Sequence, residues 1–110
     1  MTNTQTQENI QQLQAIEQNM QHLLKQRQQF QMQLLEVESA LEELKKTDKA
    51  YRIIGNIMVA SEKSDLEKEL TEKKDRIGIR VKSFEKQETS LKDQAKALRE
   101  EIMKAMQAAK

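Results

Sequence analysis

The sequence has no proline, no cysteine, no tryptophan and only two glycines, Gly55 and Gly78. Proline is the strongest helix breaker, so its absence leaves long uninterrupted helices open over the whole chain. Without cysteine there is no disulfide framework and no thiolate chemistry. Aromatic residues make up 3% of the chain and hydrophobic residues 36%, whereas an ordinary domain is about half apolar. That is too little to fill a thick globular core. No run of about 18 apolar residues exists to cross a membrane. The opening MTNTQTQENIQQ has neither a basic start nor an apolar stretch. It does not read as a secretory signal, so the expected location is the cytoplasm. A net charge of +1 gives no argument for nucleic acid. No His/Cys cluster is present for a metal and no glycine-rich loop for phosphate, and the one histidine, His22, falls at an outer helix position. Catalytic, cofactor and metal residues are therefore all expected to be absent, and the chain is not expected to be an enzyme.

What is present is helical periodicity. From Leu13 onward the apolar residues fall into heptads, with Leu13, Met20, Arg27, Leu34 and Leu41 at position a, and Ile16, Leu23, Phe30, Val37 and Leu44 at position d. A few apolar residues in strict register suit a coiled coil, which needs only a seam. This predicts one helix over residues 8–46, with residues 1–7 polar and frayed. Its Gln-rich outer faces read as solvated surface. Thr47-Asp48 then stops the helix.

Residues 50–60, AYRIIGNIMVA, change character. Tyr51, Ile53, Ile54, Ile57 and Val59 are strand-forming types, and Gly55-Asn56 between them is a tight-hairpin signal. Two short antiparallel strands are predicted, at 50–54 and 57–60. A second helix is predicted over 64–108, opened by a Ser64–Glu67 capping box. Its seam is Leu66, Leu70, Ile77, Val81, Phe84, Leu91, Ala95, Leu98, Ile102 and Ala105, with Lys73 and Glu88 in the two remaining slots. The step from Ile77 to Val81 is four where the heptad requires three. That stutter contains Gly78 and marks either a bend or a harmless exposed glycine.

The fold class read from this pattern is mainly α. It is a long antiparallel two-helix coiled coil with one β-hairpin at the apex, the whole of 1–110 forming a single domain. Reflecting the chain about Gly55-Asn56 sets Leu41 against Leu70, Leu34 against Ile77, Phe30 against Val81, Met20 against Leu91 and Leu13 against Leu98. It also brings Arg27 and Glu88, polar seam residues of the two helices, within reach of each other. An ion pair between them is predicted to fix the register. Charge agrees with this arrangement. Residues 1–44 hold Lys25 and Arg27 against six glutamates, a net −4, which leaves +5 for the remainder of a chain of net charge +1.

The hairpin is apolar on both faces, since Ile53 and Ile54 point to opposite sides, as do Ile57 and Met58. A solitary two-stranded ribbon is marginal in water, and its edges invite further strands. Tyr51, Ile53, Ile54, Gly55, Ile57, Met58 and Val59 are therefore the expected oligomerisation residues.

The stretch TDKAYRIIGNIMVASEKSDLEKELTEKKDRI, residues 47–77, resembles the prefoldin family, in its beta-type form with a single hairpin. Tyr51, Ile53, Ile54, Gly55, Ile57 and Val59 fit the family pattern of an aromatic, an apolar pair, glycine, a turn residue and an apolar strand. Asn56 stands at the position after the glycine, where the family often has proline or another residue, and asparagine is acceptable there. The resemblance implies a hexamer of two alpha-type and four beta-type subunits, joined through a hairpin platform from which the coils hang. It also implies ATP-independent capture of unfolded client proteins at the coil tips and delivery to a group II chaperonin. The tip residues, read from the sequence, are Ile10, Leu13, Ile16 and Met20 on the first helix, and Leu98, Ile102, Met103 and Met106 on the second. They either close the coil or present adaptable apolar side chains, a use to which methionine is suited. The charges of the tail, Lys104 and Lys110 beside Glu100 and Glu101, are a possible chaperonin contact at the family level. A structural coiled-coil tether is the alternative function; it explains the heptads and leaves the hairpin unexplained.

Overall fold

The computed structural model describes residues 3–108, so Lys110 lies outside the described residues. Four elements follow in order: α1 (Thr4–Lys45), β1 (Ala50–Ile54), β2 (Ile57–Ser61) and α2 (Lys63–Ala108). The chain is two long helices joined by an antiparallel hairpin, the predicted fold class. It divides into two compact units, residues 28–82 and residues 1–27 with 83–110.

In the unit of residues 28–82, Val37, Ile77 and Val81 form the buried cluster, and Phe30, Leu34, Leu41 and Leu70 pack against it. The seam partners Phe30 and Val81, Leu34 and Ile77, and Leu41 and Leu70 thus share one cluster. Each such side chain, fully buried, contributes about 1.5–3 kcal/mol. Among the described residues no large side chain is completely hidden. That follows from two helices packing with no third layer over them. The Arg80 guanidinium lies 5.2 Å from the Phe30 ring centroid, covering one open side of the seam.

In the unit built from both chain ends, α1 and α2 run antiparallel. Residues Asn9, Glu17 and Arg27, in ascending order along α1, meet Glu101, Arg99 and Glu88, in descending order along α2. Ile16, Phe84 and Ala95 are its buried apolar residues.

The helix ends depart from the sequence expectation for local reasons. Residues 3–7 are not frayed. Asn3 caps α1, its side-chain oxygen accepting from the Thr6 amide at 2.7 Å and its carbonyl from the Gln7 amide at 3.2 Å. At the other end, Thr47 and Lys46 donate to the carbonyls of Leu44 and Glu43, tightening the last turn. The Thr47 hydroxyl then accepts from the Lys49 amide and ends the helix as predicted. The second helix begins one residue before Ser64, because the Glu62 carbonyl already accepts from the Leu66 amide at 3.1 Å. Ser64 therefore sits inside the first turn rather than at its cap. Asp65 is the acid that meets the positive helix end. The helix passes unbroken through the Gly78 stutter.

Candidate functional site

The strands pair in the register Ala50↔Ser61, Tyr51↔Ala60, Arg52↔Val59, Ile53↔Met58 and Ile54↔Ile57. The second strand thus ends one residue later than predicted. Gly55 has φ of +61°, and no other residue in the described chain has positive φ. Positive φ at the first central position alone is the type II′ arrangement, whose twist matches that of the strands. This is why glycine stands at 55, and why Asn56 needs no left-handed conformation.

Side chains alternate across a strand, so the register defines two faces. One bears Ala50, Arg52, Ile54, Ile57, Val59 and Ser61. The other bears Tyr51, Ile53, Met58 and Ala60. Ala50 is buried, and Arg52 and Ser61 are half-buried, so the first face is anchored at its root. The second is open over its length, with Ile53 at 72% exposure and Met58 at 66%. Tyr51, Ile54, Ile57 and Val59 are exposed as well. Every apolar side chain predicted for oligomerisation therefore lies open in the single chain, on a ribbon whose two outer edges carry no strand partner.

A contact that the sequence reading missed fixes this ribbon to α2. The Arg52 guanidinium grips the Glu69 carboxylate with two parallel hydrogen bonds, Nη1 to Oε1 at 2.9 Å and Nη2 to Oε2. The hydrogen bond, more than simple charge attraction, pushes Arg52 above the usual guanidinium range and holds Glu69 below the usual carboxylate range. Arg52 is the only charged residue in either strand. That was the available signal, though nothing in the sequence names Glu69 as its partner.

At the chain ends, the eight residues predicted to meet clients are placed unequally. Ile16 is buried in the seam. Ile10, Leu13, Met20, Leu98 and Ile102 are half-buried. Met103 at 64% and Met106 at 58% are exposed. A groove of about 630 Å³ runs beside Met20 and Leu24 between charged walls that include Arg27, Glu88, Lys92 and Arg99. The reading missed Thr6 and Asn9, both buried. Counting the heptad back from Leu13 and Ile16 puts them at positions a and d. Asn9 donates to Glu101 Oε2 at 3.3 Å and accepts from Gln5 at 3.1 Å. The first heptad of the first helix is thus closed by hydrogen bonds rather than by apolar packing.

Among the described residues no group of three or more His, Cys, Asp or Glu side chains is arranged to hold a metal ion. No described helix is long and apolar enough to cross a membrane.

Two long helices joined by an exposed apolar hairpin define a protein of the coiled-coil class. Comparison with known proteins gives the particular kind. A family profile described as "Prefoldin subunit" matches residues 7–109. The prefoldin subunit beta of Archaeoglobus fulgidus is 42% identical over 92 residues, covering 81% of this chain and 79% of that protein. That of Methanospirillum hungatei is 34% identical over 99 residues, covering 87% and 82%. The crystal structure of the prefoldin beta subunit from Thermococcus strain KS-1 superposes with a TM-score of 0.88 at 31% identity, covering 96% of each chain. The chain belongs to the prefoldin family and is a chaperone-type subunit of the beta form.

Proposed function

We propose that this chain is a beta-type subunit of an ATP-independent holding chaperone. It assembles through its hairpin with alpha-type prefoldin subunits and other beta-type copies, two alpha and four beta, in the cytoplasm. The whole chain acts as one domain without enzymatic activity. Unfolded client proteins are held at the chain-end part of the coil and delivered to a group II chaperonin. The observation that carries the reading is the exposure of Tyr51, Ile53, Ile54, Ile57, Met58 and Val59 on both faces of one ribbon. Leaving that surface in water is unfavourable at about 25 cal/mol per Å², and neighbouring hairpins cover both faces and pair both edges. A structural tether has no use for such a ribbon. For client capture the support is Met103 and Met106, flexible apolar side chains in open solvent at the end of a helix.

The experiment mixes the chain with an alpha-type prefoldin subunit. Mass is then measured by light scattering, and aggregation of a denatured client is followed without nucleotide. A hexamer that suppresses aggregation is expected. A dimeric coil with no effect on the client contradicts the proposal.

A further inference from the structure

The ribbon raises a question that burial alone does not answer. Its connections to the helices are short and exposed, Lys46–Lys49 on one side and Glu62 on the other. A two-stranded ribbon on such connections pivots unless something holds it. Its root is held by the burial of Ala50. Beyond the root, Arg52 and Glu69 make its side-chain ion pair to α2.

Arg52 is unusual where it stands. It is a lone charge on strands that are otherwise apolar or small, and it points to the face that bears Ile54, Ile57 and Val59. An unpaired charge in a surface that is to be covered by other strands carries a heavy desolvation cost. Glu69 lowers that cost by pairing with Arg52 within the same chain. The fork also fixes geometry. Two parallel hydrogen bonds to a planar guanidinium set both the distance and the plane of the contact, which a lysine does not do. The face with Arg52 is thereby tied toward α2, and the face with Tyr51, Ile53 and Met58 is turned away from it.

We propose that Arg52 and Glu69 are a positioning pair for assembly: they hold the hairpin at the angle to α2 at which its apolar faces meet neighbouring prefoldin hairpins. The inference rests on the assembly reading above. A ribbon set in advance loses less freedom when it docks, so the pair acts on the affinity between subunits rather than on the folding of the coil.

The test uses the full chain with an alpha-type prefoldin subunit and compares wild type with Arg52→Ala, Glu69→Ala, Arg52→Lys and the charge exchange Arg52→Glu with Glu69→Arg. Sedimentation velocity over a dilution series reads assembly, and circular dichroism reads helix content. The two alanine variants are expected to keep the helix content and to dissociate at about tenfold higher concentration, the effect of one charged hydrogen-bonded contact. The exchange variant recovers much of that loss, and the lysine variant less of it, because it keeps the charge without the fork. Alanine variants that assemble like wild type overturn the proposal, and so does an exchange variant no better than the single changes. Failure of the wild type to assemble is a different result. It removes the assembly reading itself, and the positioning role with it.

Discussion

Nε of Arg27 stands 2.7 Å from Oε2 of Glu88, at seam positions of the two helices where every neighbouring slot is apolar or small. Their side chains keep only 23% and 19% of their exposure. Each ion is thus partly desolvated, and the contact between them is a charge-assisted hydrogen bond. Glu88→Ala leaves the Arg27 charge half-buried without this carboxylate and is expected to cost about 1–3 kcal/mol. Changing both residues to leucine is expected to fall within about 1 kcal/mol of wild type, or above it, because a well-packed apolar pair replaces a desolvated one. Denaturant unfolding measures both. Disulfide cross-linking of paired cysteines, one placed on each helix, then reports the register, which is expected to broaden in the double variant and stay single in wild type.

The two glycines predict opposite responses to one substitution. A Cβ added at Gly78 meets nothing within 4 Å, and the residue lies in mid-helix. Gly78→Ala is expected to raise stability by about 0.5–1 kcal/mol through helix propensity. Gly55 also has open space around it but holds φ of +61°. Gly55→Ala is expected to cost about 1–2 kcal/mol through backbone strain. Paired thermal unfolding curves of the two variants check both signs.

Much of this was legible in the residues themselves. Heptads report which side chains face a partner, and a two-residue Gly-Asn loop fixes the point of reflection, so the Arg27–Glu88 pair followed from position alone. Other features depended on groups the pattern does not contain. Thr6 and Asn9 are polar, so they interrupted the apolar signal while still occupying the seam. The start of α2 was decided by the Glu62 carbonyl, a backbone group with no side-chain signature, and not by Ser64. The Arg52–Glu69 contact depends on the angle between a ribbon and a helix, which local propensity does not set.

Glu69 gives the hairpin contact a defined pH response. Its carboxyl is held below the usual range, chiefly by the hydrogen bond from Arg52, with Arg76 and Lys73 acting in the same direction through their charge. Asp65 likewise supports the Arg52 charge. A lowered carboxylate value means that the contribution is complete above the ordinary value of about 4.3 and is lost as pH falls through the folded value beneath it. Arg52 is shifted upward, so its side of the contact is lost only in strong alkali. The advantage of wild type over Glu69→Gln in assembled fraction is therefore expected to be constant between about pH 8 and pH 5 and to shrink below about pH 4. Sedimentation across that range measures it.

Client holding is expected to reside in the chain ends, where Met103 and Met106 are open and Thr6 and Asn9 close the seam with polar groups. Removing residues 1–12 and 103–110 is expected to leave the hexamer intact and to abolish suppression of client aggregation. Sizing and a turbidity assay on the same sample separate the two effects. Full holding activity after the truncation locates the client surface elsewhere.

Placing a charge on the open face of the ribbon tests the assembly account most directly. Ile53 and Met58 are cross-strand partners on that face, and Arg52 and Glu69 are untouched by changes there. Sedimentation of Ile53→Asp with Met58→Asp, mixed with an alpha-type prefoldin subunit, is predicted to give an unassembled chain of wild-type helix content. The wild-type mixture is predicted to give a hexamer. A hexamer from the variant at the same concentration would contradict the claim that this hairpin joins the subunits.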